Sequence, residues 1–314
     1  MTWHNGITII IPTYKRPKGL DVALHTLVSQ HVSTDKFEII ISDNDPAGGA
    51  KDYVKSMAAK HKTPEIVYVH AKDPGVCNAR NEAMAVARGR FLVFVDDDME
   101  ATPNWVQKMV DLLVKYDAGI SFSDVTARMH DENDPKLTAM IPIFSRTMDK
   151  PEGIIDKFLG MGGAALDTAR MTLPNPPFNP DLNDVGGEDD FLFHQLQMQG
   201  VKTAWSPDFS AFEIIPKSRA TKSYIWKRNF AFGQGPTQIA ADRGIKGGPK
   251  VLYWMGVGMG QTIVYGAQYI FYKLTGRPNA IQRYARLSQA IGKVFWWDGF
   301  RPRLYGANST TEQA

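Results

Sequence analysis

The sequence contains a single cysteine, Cys77, and it lacks a long, uninterrupted hydrophobic run. One cysteine excludes an intrachain disulfide and fits a reducing compartment. The apolar stretch near the amino terminus is too short for a signal peptide, so we expect no export signal. The chain has 314 residues, of which 43% are hydrophobic and 22% charged. These values are ordinary for a globular protein and allow a large α/β domain with an appended segment.

Acidic residues are scarce in the last third of the chain. Residues 214–314 hold 15 Lys and Arg against three Asp and Glu, whereas residues 1–213 hold 21 against 30. A basic tail on an acidic body predicts an anionic partner, namely phosphate, anionic lipid or nucleic acid, although the basic residues could simply solubilise the tail. Nucleic acid is disfavoured, because the basic residues are confined to the tail and no nucleic-acid-binding motif accompanies them.

Strand and helix signals alternate through the first third of the chain. The apolar, β-branched run Ile7–Ile11 predicts a buried strand, and Leu20–Gln30 carries apolar residues at helical spacing. This alternation predicts an α/β fold with a Rossmann-like, mostly parallel sheet that has helices on both faces. The further predicted elements are the strands Phe37–Ser42, Ile66–Val69 and Phe91–Val95, and the helices Lys51–Lys60, Val76–Ala87 and Trp105–Val114.

Polar clusters follow three of the predicted strands: Thr13-Tyr14, Asp43-Asn44-Asp45 and Asp96-Asp97-Asp98. Ligands of such sheets bind beyond the carboxyl ends of the strands. Carboxylate oxygens suit Mg²⁺ or Mn²⁺, and these ions can bridge phosphates. Three adjacent acids alone would indicate only an exposed acidic turn. Their position at a strand end beside two other polar clusters favours a metal and nucleotide site.

A second acidic cluster, Glu188-Asp189-Asp190, precedes the predicted helix Phe191–Met198 and follows the Pro- and Asn-rich loop Met171–Asp184. One acid there would cap the helix, but three exceed that need. The functional interpretation is a general base that deprotonates an acceptor hydroxyl. Arg80, on the predicted helix before the acidic strand, either pairs with phosphate or the acidic cluster, or forms a surface ion pair.

Two segments of the tail could contact a membrane. Val251–Tyr272 has no charged residue and many aromatic residues, but glutamines and a threonine interrupt it. It is about as long as the ~20 residues that a spanning helix needs. We expect it to lie in or near a membrane interface, with a buried core helix as the alternative. Asn279–Trp297 predicts a cationic amphipathic helix of the membrane-surface type, with a protein-docking helix as the alternative.

Together these motifs resemble the family 2 glycosyltransferases of the GT-A fold. The tail, with WKRNFAFGQG and GRPNAIQRYARLSQAIGKVFWW, is similar to that of bacterial exopolysaccharide (succinoglycan-type) glucosyltransferases. The stretches that carry the family resemblance are IIIPTYKRP (9–17), IIISDND (39–45), GVCNARNEAMAVARGRFLVFVDDDMEATPNW (75–105) and GGEDDFLFHQLQMQG (186–200). The third of these stretches, residues 75–105, is the most specific.

The resemblance implies an inverting transferase that moves glucose from a UDP-sugar to a saccharide acceptor linked to polyprenyl diphosphate. Asp189 would be the general base, with Glu188 beside it. Asp98 would hold Mg²⁺ or Mn²⁺ on the diphosphate, and Gly162 and Gly163 would let the backbone approach the donor sugar. The residues that the resemblance places at the nucleotide are Pro12, Thr13, Tyr14, Arg16, Asp43, Asn44, Asn78, Arg80, Asp96 and Asp97.

One feature departs from the family pattern. Many relatives place a histidine shortly after the final strand, where this chain has AFEIIP. Glu213 could replace that histidine as a metal ligand beside Asp96 and Asp98, or that role could be absent. Three cations that could neutralise the leaving diphosphate are Arg219, Lys227 and Arg228.

The predicted division has a transferase domain at 1–244 and a helical, membrane-associating segment at 245–314. Within the first, 1–124 would bind the nucleotide and 125–244 the acceptor. The enzyme would sit on the cytoplasmic face of the inner membrane.

Two other functions remain alternatives. A haloacid-dehalogenase-type phosphatase also places two such acids after a strand, but after its first strand, whereas here three strands precede the strand that carries the acids. A non-catalytic, membrane-peripheral nucleotide-sugar binder would keep the fold, but the intact Glu188-Asp189 pair argues against it.

Overall fold

The computed structural model describes residues 5–183, 186–242 and 244–302. The last residue of the predicted loop Met171–Asp184 and residues 303–314 of the predicted tail lie outside the described residues. The chain divides into two compact units. The sheet unit holds the described residues up to Thr126 together with Arg146–Ile214, and the helical unit holds Ala127–Ser145 with the described residues from Ile215 onward.

A sheet of nine strands, β1–β9, runs through the described residues, with ten α-helices, α1–α10, around it and in the helical unit. The strands are β1 (Ile7–Thr13), β2 (Phe37–Asp43), β3 (Glu65–His70), β4 (Phe91–Phe94), β5 (Met99–Ala101), β6 (Ile120–Met129), β7 (Gly153–Ile155), β8 (Ala164–Asp167) and β9 (Thr203–Ile215). The helices are α1 (Pro17–Val28), α2 (Lys51–Lys60), α3 (Val76–Val86), α4 (Trp105–Lys115), α5 (Pro135–Thr138), α6 (Ile141–Phe144), α7 (Glu188–Met198), α8 (Lys222–Ala241), α9 (Gly248–Leu274) and α10 (Ala280–Val294).

The sheet has the order β3-β2-β1-β4-β8-β6-β9-β5, and β7 pairs with β9. The first four strands are parallel, because a helix crosses over in each connection from β1 to β4. The predicted α/β fold with a helical carboxyl-terminal region is confirmed. The parallel pattern stops after β4, and β8 joins both β4 and β6 in the antiparallel direction. A parallel crossover needs about a dozen residues or more, and connections such as the four residues between β4 and β5 are too short for one.

Both faces of the parallel strands are buried. Ile9 and Ile11 of β1 face a core formed with α1, α2 and α4, whereas Ile10 faces α3 and α7. Successive side chains of a strand point to opposite faces, so a strand covered on both sides reads as a continuous apolar run. The run Ile7–Ile11 therefore forms a central strand, as predicted.

Close packing of α8 against α10 organises the helical unit. A Cβ atom at Gly233 would lie 2.0 Å from the backbone oxygen of Gln289, and one at Gly292 would lie 2.2 Å from that of Phe230. The side chains of Gln234 and Thr237 also donate hydrogen bonds to backbone oxygens beyond or within α10. Because α8 packs in this unit, the observed division of the chain falls near residue 215 and differs from the predicted boundary at 244.

The apolar face of α10 is partly covered within the helical unit. Ile281 is buried, and the Tyr284 ring contacts the rings of Trp226 and Tyr269. Part of this face therefore packs within the helical unit, as the docking-helix alternative expects, and contact of Asn279–Trp297 with a membrane surface remains a prediction. The amphipathic pattern indicates that one face of the helix avoids water, but it does not identify the surface that contacts this face.

The apolar residues of α9 are in the opposite situation. Leu252 is 71% exposed, Ile263 is 74% exposed and Leu274 is 82% exposed, which excludes a buried core helix. Among the described residues, no helix is both long and apolar enough to cross a membrane. The large exposed apolar side chains of α9 are Leu252, Tyr253, Met259, Ile263, Val264, Ile270, Phe271 and Leu274.

Candidate active site

The ends of the parallel strands bring the predicted polar clusters to one edge of the sheet. Thr13 lies beside Asp43 in the register of β1 and β2. The Thr13 hydroxyl donates a hydrogen bond of 2.8 Å to Asp97, just beyond the end of β4. Pro12 and Tyr14 flank Thr13 and are half-buried. The structure thus gathers these strand-end clusters as the sequence predicted.

The three carboxylates of the Asp96-Asp97-Asp98 triplet have different surroundings. Asp97 is turned inward and also accepts from Arg16 at 3.1 Å, and burial raises its pKa although Arg16 opposes that change. Asp98 faces the same guanidinium at 3.2 Å. The Asp96 side chain keeps 35% of its surface exposed and meets Arg80 at 3.7 Å. Asp97 therefore supports the site, and its predicted contact with the nucleotide remains a prediction.

Arg80 connects the two acidic clusters. Its Nη1 lies 2.7 Å from Glu188 and its Nη2 lies 3.7 Å from Asp96. Burial lowers the pKa of this guanidinium, but the charges of Glu188, Asp96 and Asp189 outweigh burial and raise it. Its Nε is buried without a hydrogen-bond partner. The sequence leaves open whether Arg80 pairs with phosphate, pairs with the acidic cluster or forms a surface ion pair. In the structure it pairs with both acidic clusters.

Asp189 lies in the first turn of α7, where the amino end of the helix favours a negative charge. Its Oδ2 accepts a hydrogen bond of 3.1 Å from the backbone N–H of Met161. Within the described residues, Glu188 is paired with Arg80, whereas Asp189 forms no direct ion pair. Among the described residues, Asp189 thus has a carboxylate without a direct ion pair beside the paired Glu188, and its role as general base remains a prediction.

The predicted nucleotide residues of β2 and α3 also hold the neighbouring loops. Asp43 is buried and accepts hydrogen bonds from the backbone of Asp45 and Ala50 and from the Tyr68 hydroxyl. Burial, aided by Asp43, raises the pKa of Tyr68 to about 12, which keeps this donor protonated. The predicted contact of Asp43 with a nucleotide remains a prediction.

Two asparagines hold the same region together. Asn44 donates to the backbone oxygens of Ala71 and Asp73 and accepts from the N–H of Gly75. Asn78 donates to the oxygen of Pro74 at 2.9 Å. Both asparagines fix the turn that leads into α3, and their nucleotide contacts also remain predictions.

Arg146 belongs to the site but was missed by the sequence reasoning. Its Nη1 lies 2.7 Å from Glu213, and its Nη2 donates to the Gly162 oxygen at 2.9 Å. Burial lowers its pKa, but the charges of Glu213, Asp96 and Asp98 raise it. No local pattern marks Arg146, because it lies between recognisable elements. Glu213 thus holds Arg146 already in the free protein, and its predicted role as a metal ligand remains a prediction.

Gly162 allows the close approach of Asp96. A Cβ atom at Gly162 would lie 2.0 Å from the Asp96 Oδ2, so any side chain there would displace the carboxylate. Gly163 has a φ of +91°, which glycine adopts without strain. These glycines have a steric role already in the free protein, and their predicted approach to the donor sugar remains a prediction.

The predicted metal ligands can be tested against this geometry. Within the described residues, no three acidic, histidine or cysteine side chains gather into a ready-made metal site. Mg²⁺, however, is usually bound through one or two carboxylates together with the phosphates of a substrate. Asp96 and Asp98 provide such oxygen ligands. The donor set therefore fits a divalent cation that arrives with a diphosphate.

The helical unit contains all three cations predicted to face the diphosphate, namely Arg219, Lys227 and Arg228. Arg228 donates to the Ile143 oxygen at 3.0 Å and lies over the rings of Phe144 and Phe232. It is a packing residue of that unit. The role of these three cations toward a diphosphate stays a prediction.

The family model for glycosyl transferase family 2 matches residues 8–166. This range contains the strand-end clusters and Arg80, and it covers half of the chain. The chain belongs to glycosyl transferase family 2. Membership makes it a glycosyltransferase and does not favour the phosphatase alternative.

Relatives and solved structures agree with the family. The succinoglycan biosynthesis protein ExoM of Rhizobium meliloti (strain 1021) is 25% identical over 244 residues, 76% of each chain. Chondroitin synthase of Escherichia coli is 33% identical over 112 residues, 35% of this chain and 16% of that protein.

Two solved structures share the fold of this transferase. The mannosyltransferase PcManGT from Pyrobaculum calidifontis, in complex with GDP-Man and Mn²⁺, has a TM-score of 0.62 at 18% identity, over 94% of this chain and 88% of its own. S. aureus TarS 1–349 in complex with UDP has a TM-score of 0.53 at 14% identity, over 92% and 89%. At these identities the likeness concerns the fold alone.

Proposed function

We propose that this family 2 enzyme transfers glucose from UDP-glucose to a hydroxyl of a saccharide acceptor, with inversion, in the assembly of a bacterial polysaccharide. The observation that carries the proposal is the placement of Asp189. Its unpaired carboxylate lies next to Glu188, which Arg80 connects to the strand-end acids. The name of the relative ExoM supports the polysaccharide, and the UDP complex of the neighbour TarS supports the nucleotide.

In the proposed reaction, Asp189 accepts the proton of the acceptor hydroxyl while the oxygen attacks the anomeric carbon. The bond from that carbon to the diphosphate oxygen breaks on the opposite face, and UDP leaves. A single displacement inverts the configuration, so an α-linked donor gives a β-linked product. The backbone N–H of Met161 orients Asp189 through its hydrogen bond of 3.1 Å.

Arg16, Arg80 and Arg146 provide positive charge around the strand-end acids. Fixed cations of this kind stabilise negative charge on a leaving diphosphate. Asp98, with Asp96, would hold Mg²⁺ or Mn²⁺, which when bound neutralises diphosphate charge. The Mn²⁺ complex of the neighbour PcManGT supports a divalent cation.

We further propose that the acceptor is linked to polyprenyl diphosphate and that the enzyme binds the cytoplasmic face of the inner membrane through α9. The exposed apolar side chains of this helix support membrane contact. The absence of Asp and Glu from α8, α9 and α10 supports an anionic lipid surface, since clustered Lys and Arg are attracted to such lipids.

The transferase proposal is tested by replacing the base. We expect Asp189→Asn to lose nearly all transfer from UDP-glucose, because an amide cannot take the proton, while UDP affinity stays within about twofold of the wild type. Calorimetric titration with UDP and a transfer assay measure the two properties. Parallel loss of UDP binding and transfer would remove the base assignment, and no UDP binding by the wild type would undercut the donor site as a whole.

The metal proposal is tested at Asp98. We expect Asp98→Ala to lose the difference in UDP affinity between solutions with and without Mn²⁺, because a phosphate-bridging ion would no longer be held. Calorimetry with and without Mn²⁺ checks this without relying on turnover. The matched control is Asp208→Ala, which removes one carboxylate elsewhere in the sheet unit. Unchanged Mn²⁺ dependence in Asp98→Ala would contradict the assignment.

A further inference from the structure

The helical unit contains a cleft of about 560 Å³ lined by Ser223, Trp226, Lys227 and Tyr284. The cleft is shallow and open to solvent, so it is suited to a ligand that is only partly enclosed. Ser223, Trp226 and Lys227 are three and four positions apart on α8, so they share one face of that helix. Tyr284 comes from α10. The cleft is therefore built from two helices that the sequence separates widely.

The cleft has an aromatic wall. The ring centroids of Trp226 and Tyr284 are 5.0 Å apart, and those of Tyr284 and Tyr269 are 5.3 Å apart. Trp226 and Tyr284 line the cleft and are only partly buried. Aromatic rings combine a large apolar face with a polar tip, which suits ligands that have apolar faces and hydroxyl edges, as sugars do.

The other wall is cationic. Within the described residues, the exposed Lys227 forms no ion pair, and α8, α9 and α10 together contain eight Lys and Arg but no Asp or Glu. The Ser223 hydroxyl lies one turn away on the same face. An ammonium group beside a hydroxyl donor is suited to a phosphate. No carboxylate on these helices competes with such a ligand.

The walls of the cleft are fixed before any ligand binds. The Ser288 hydroxyl donates a hydrogen bond of 2.7 Å to the backbone oxygen of Trp226. The close contacts at Gly233 and Gly292 set the separation of α8 and α10. A preorganised site loses less entropy on binding, so this cleft is suited to hold a ligand.

We propose that this cleft binds a glycosyl phosphate, with the sugar ring against Trp226 and Tyr284 and the phosphate on Lys227 and Ser223. The inference builds on the proposed function, in which the acceptor saccharide is carried on a polyprenyl diphosphate. It assigns recognition of the acceptor to the sugar and phosphate beside the lipid. The same chemistry would also recognise a soluble sugar phosphate.

Calorimetric titration of the full chain tests the proposal with three probes: glucose linked to farnesyl diphosphate, glucose 1-phosphate, and farnesyl diphosphate without sugar. We expect Lys227→Gln and Trp226→Ala each to weaken binding of the glycosylated probe about tenfold, the loss that one charge-assisted contact or one aromatic anchor causes. Trp226→Phe retains part of the affinity. The matched control Lys55→Gln, which removes an exposed lysine of α2 in the sheet unit, binds like the wild type.

Unchanged binding in Lys227→Gln and Trp226→Ala overturns the proposal, as does an equal loss in Lys55→Gln. Because Lys227 is exposed, its variant tests the site even where Trp226→Ala impairs folding. Equal affinity for unglycosylated farnesyl diphosphate overturns the sugar contact. Equal affinity for glucose 1-phosphate supports the cleft and identifies a soluble source.

Failure of the transferase proposal can be distinguished from failure of the cleft proposal. If the wild type transfers glucose from UDP-glucose and the cleft variants bind the glycosylated probe normally, only the cleft proposal is contradicted. Binding that depends on Lys227 without any transfer from UDP-sugars supports the cleft and contradicts the transferase proposal.

Discussion

At the scale of single residues, Arg146 has the most consequential contacts in the candidate site. It connects Glu213, at 2.7 Å, with the backbone oxygen of Gly162, at 2.9 Å, and Gly162 in turn makes room for Asp96. Its charge also acts on Asp96 and Asp98. Arg146 therefore acts on the geometry of the strand-end acids as well as on their charge.

We expect Arg146→Met to destabilise the fold by about 3 kcal/mol, because the buried Glu213 carboxylate loses the charge of Arg146, which lies 2.7 Å away. Replacing both partners, in Arg146→Met with Glu213→Gln, is expected to recover part of that loss. Urea unfolding of the four proteins in this cycle measures the coupling. A stability loss that is simply additive in the double variant would show that the pair is not coupled.

The acids of the site were predictable from the sequence, but Arg146 was not. Asp96 and Asp98 directly follow an apolar strand, and the edge at which strands end can be inferred from chain order alone. Arg146 reaches the site through a bridge between its backbone and that of Val125, a pairing that no spacing rule announces. The distinct surroundings of the three adjacent acids also depend on the positions of Arg16 and Arg80, which only the folded chain shows.

At the scale of elements, two glycines set the contact between α8 and α10. We expect Gly292→Ala to destabilise the protein by roughly 1–3 kcal/mol, since its Cβ would overlap the Phe230 oxygen and force the helices apart. The matched control is Gly256→Ala on α9, where nothing lies within 4 Å of an added Cβ. That change should stabilise its helix by up to ~1 kcal/mol. Urea unfolding followed by circular dichroism compares the two, and effects of the same sign would contradict the packing argument.

The helical unit also shows where helix prediction from sequence ends. The bounds of α9 and α10 lie within a few residues of the predicted segments. Periodicity nevertheless predicts membrane contact for α10, whose apolar face Trp226 and other neighbours partly cover. The apolar pattern of a helix records that one face avoids water, and the same pattern results from a protein neighbour and from a lipid. Only the packing of α8 separates the two cases.

At the scale of the whole molecule, charge and exposed apolar surface coincide on one part of the chain. The net charge of residues 214–314 is strongly positive, and three consecutive helices there carry no acid. The same helices include α9, with eight large apolar side chains exposed. Large exposed apolar patches mark interaction surfaces, and positive charge selects an anionic partner. The sequence predicted the charge, whereas the exposure of α9 required the structure.

We expect the full chain to float with vesicles that contain anionic phosphatidylglycerol and to bind less as salt increases, because screening weakens the attraction of exposed charges. Ile263→Gln with Phe271→Gln should reduce the bound fraction about tenfold or more, since each change removes an apolar side chain from the membrane contact. The matched control is Met198→Gln on α7, which is 77% exposed and belongs to the sheet unit. Flotation that responds equally to Met198→Gln, or that is insensitive to the α9 changes, would exclude α9 as the membrane-binding element and leave the basic charge of the tail to explain any binding.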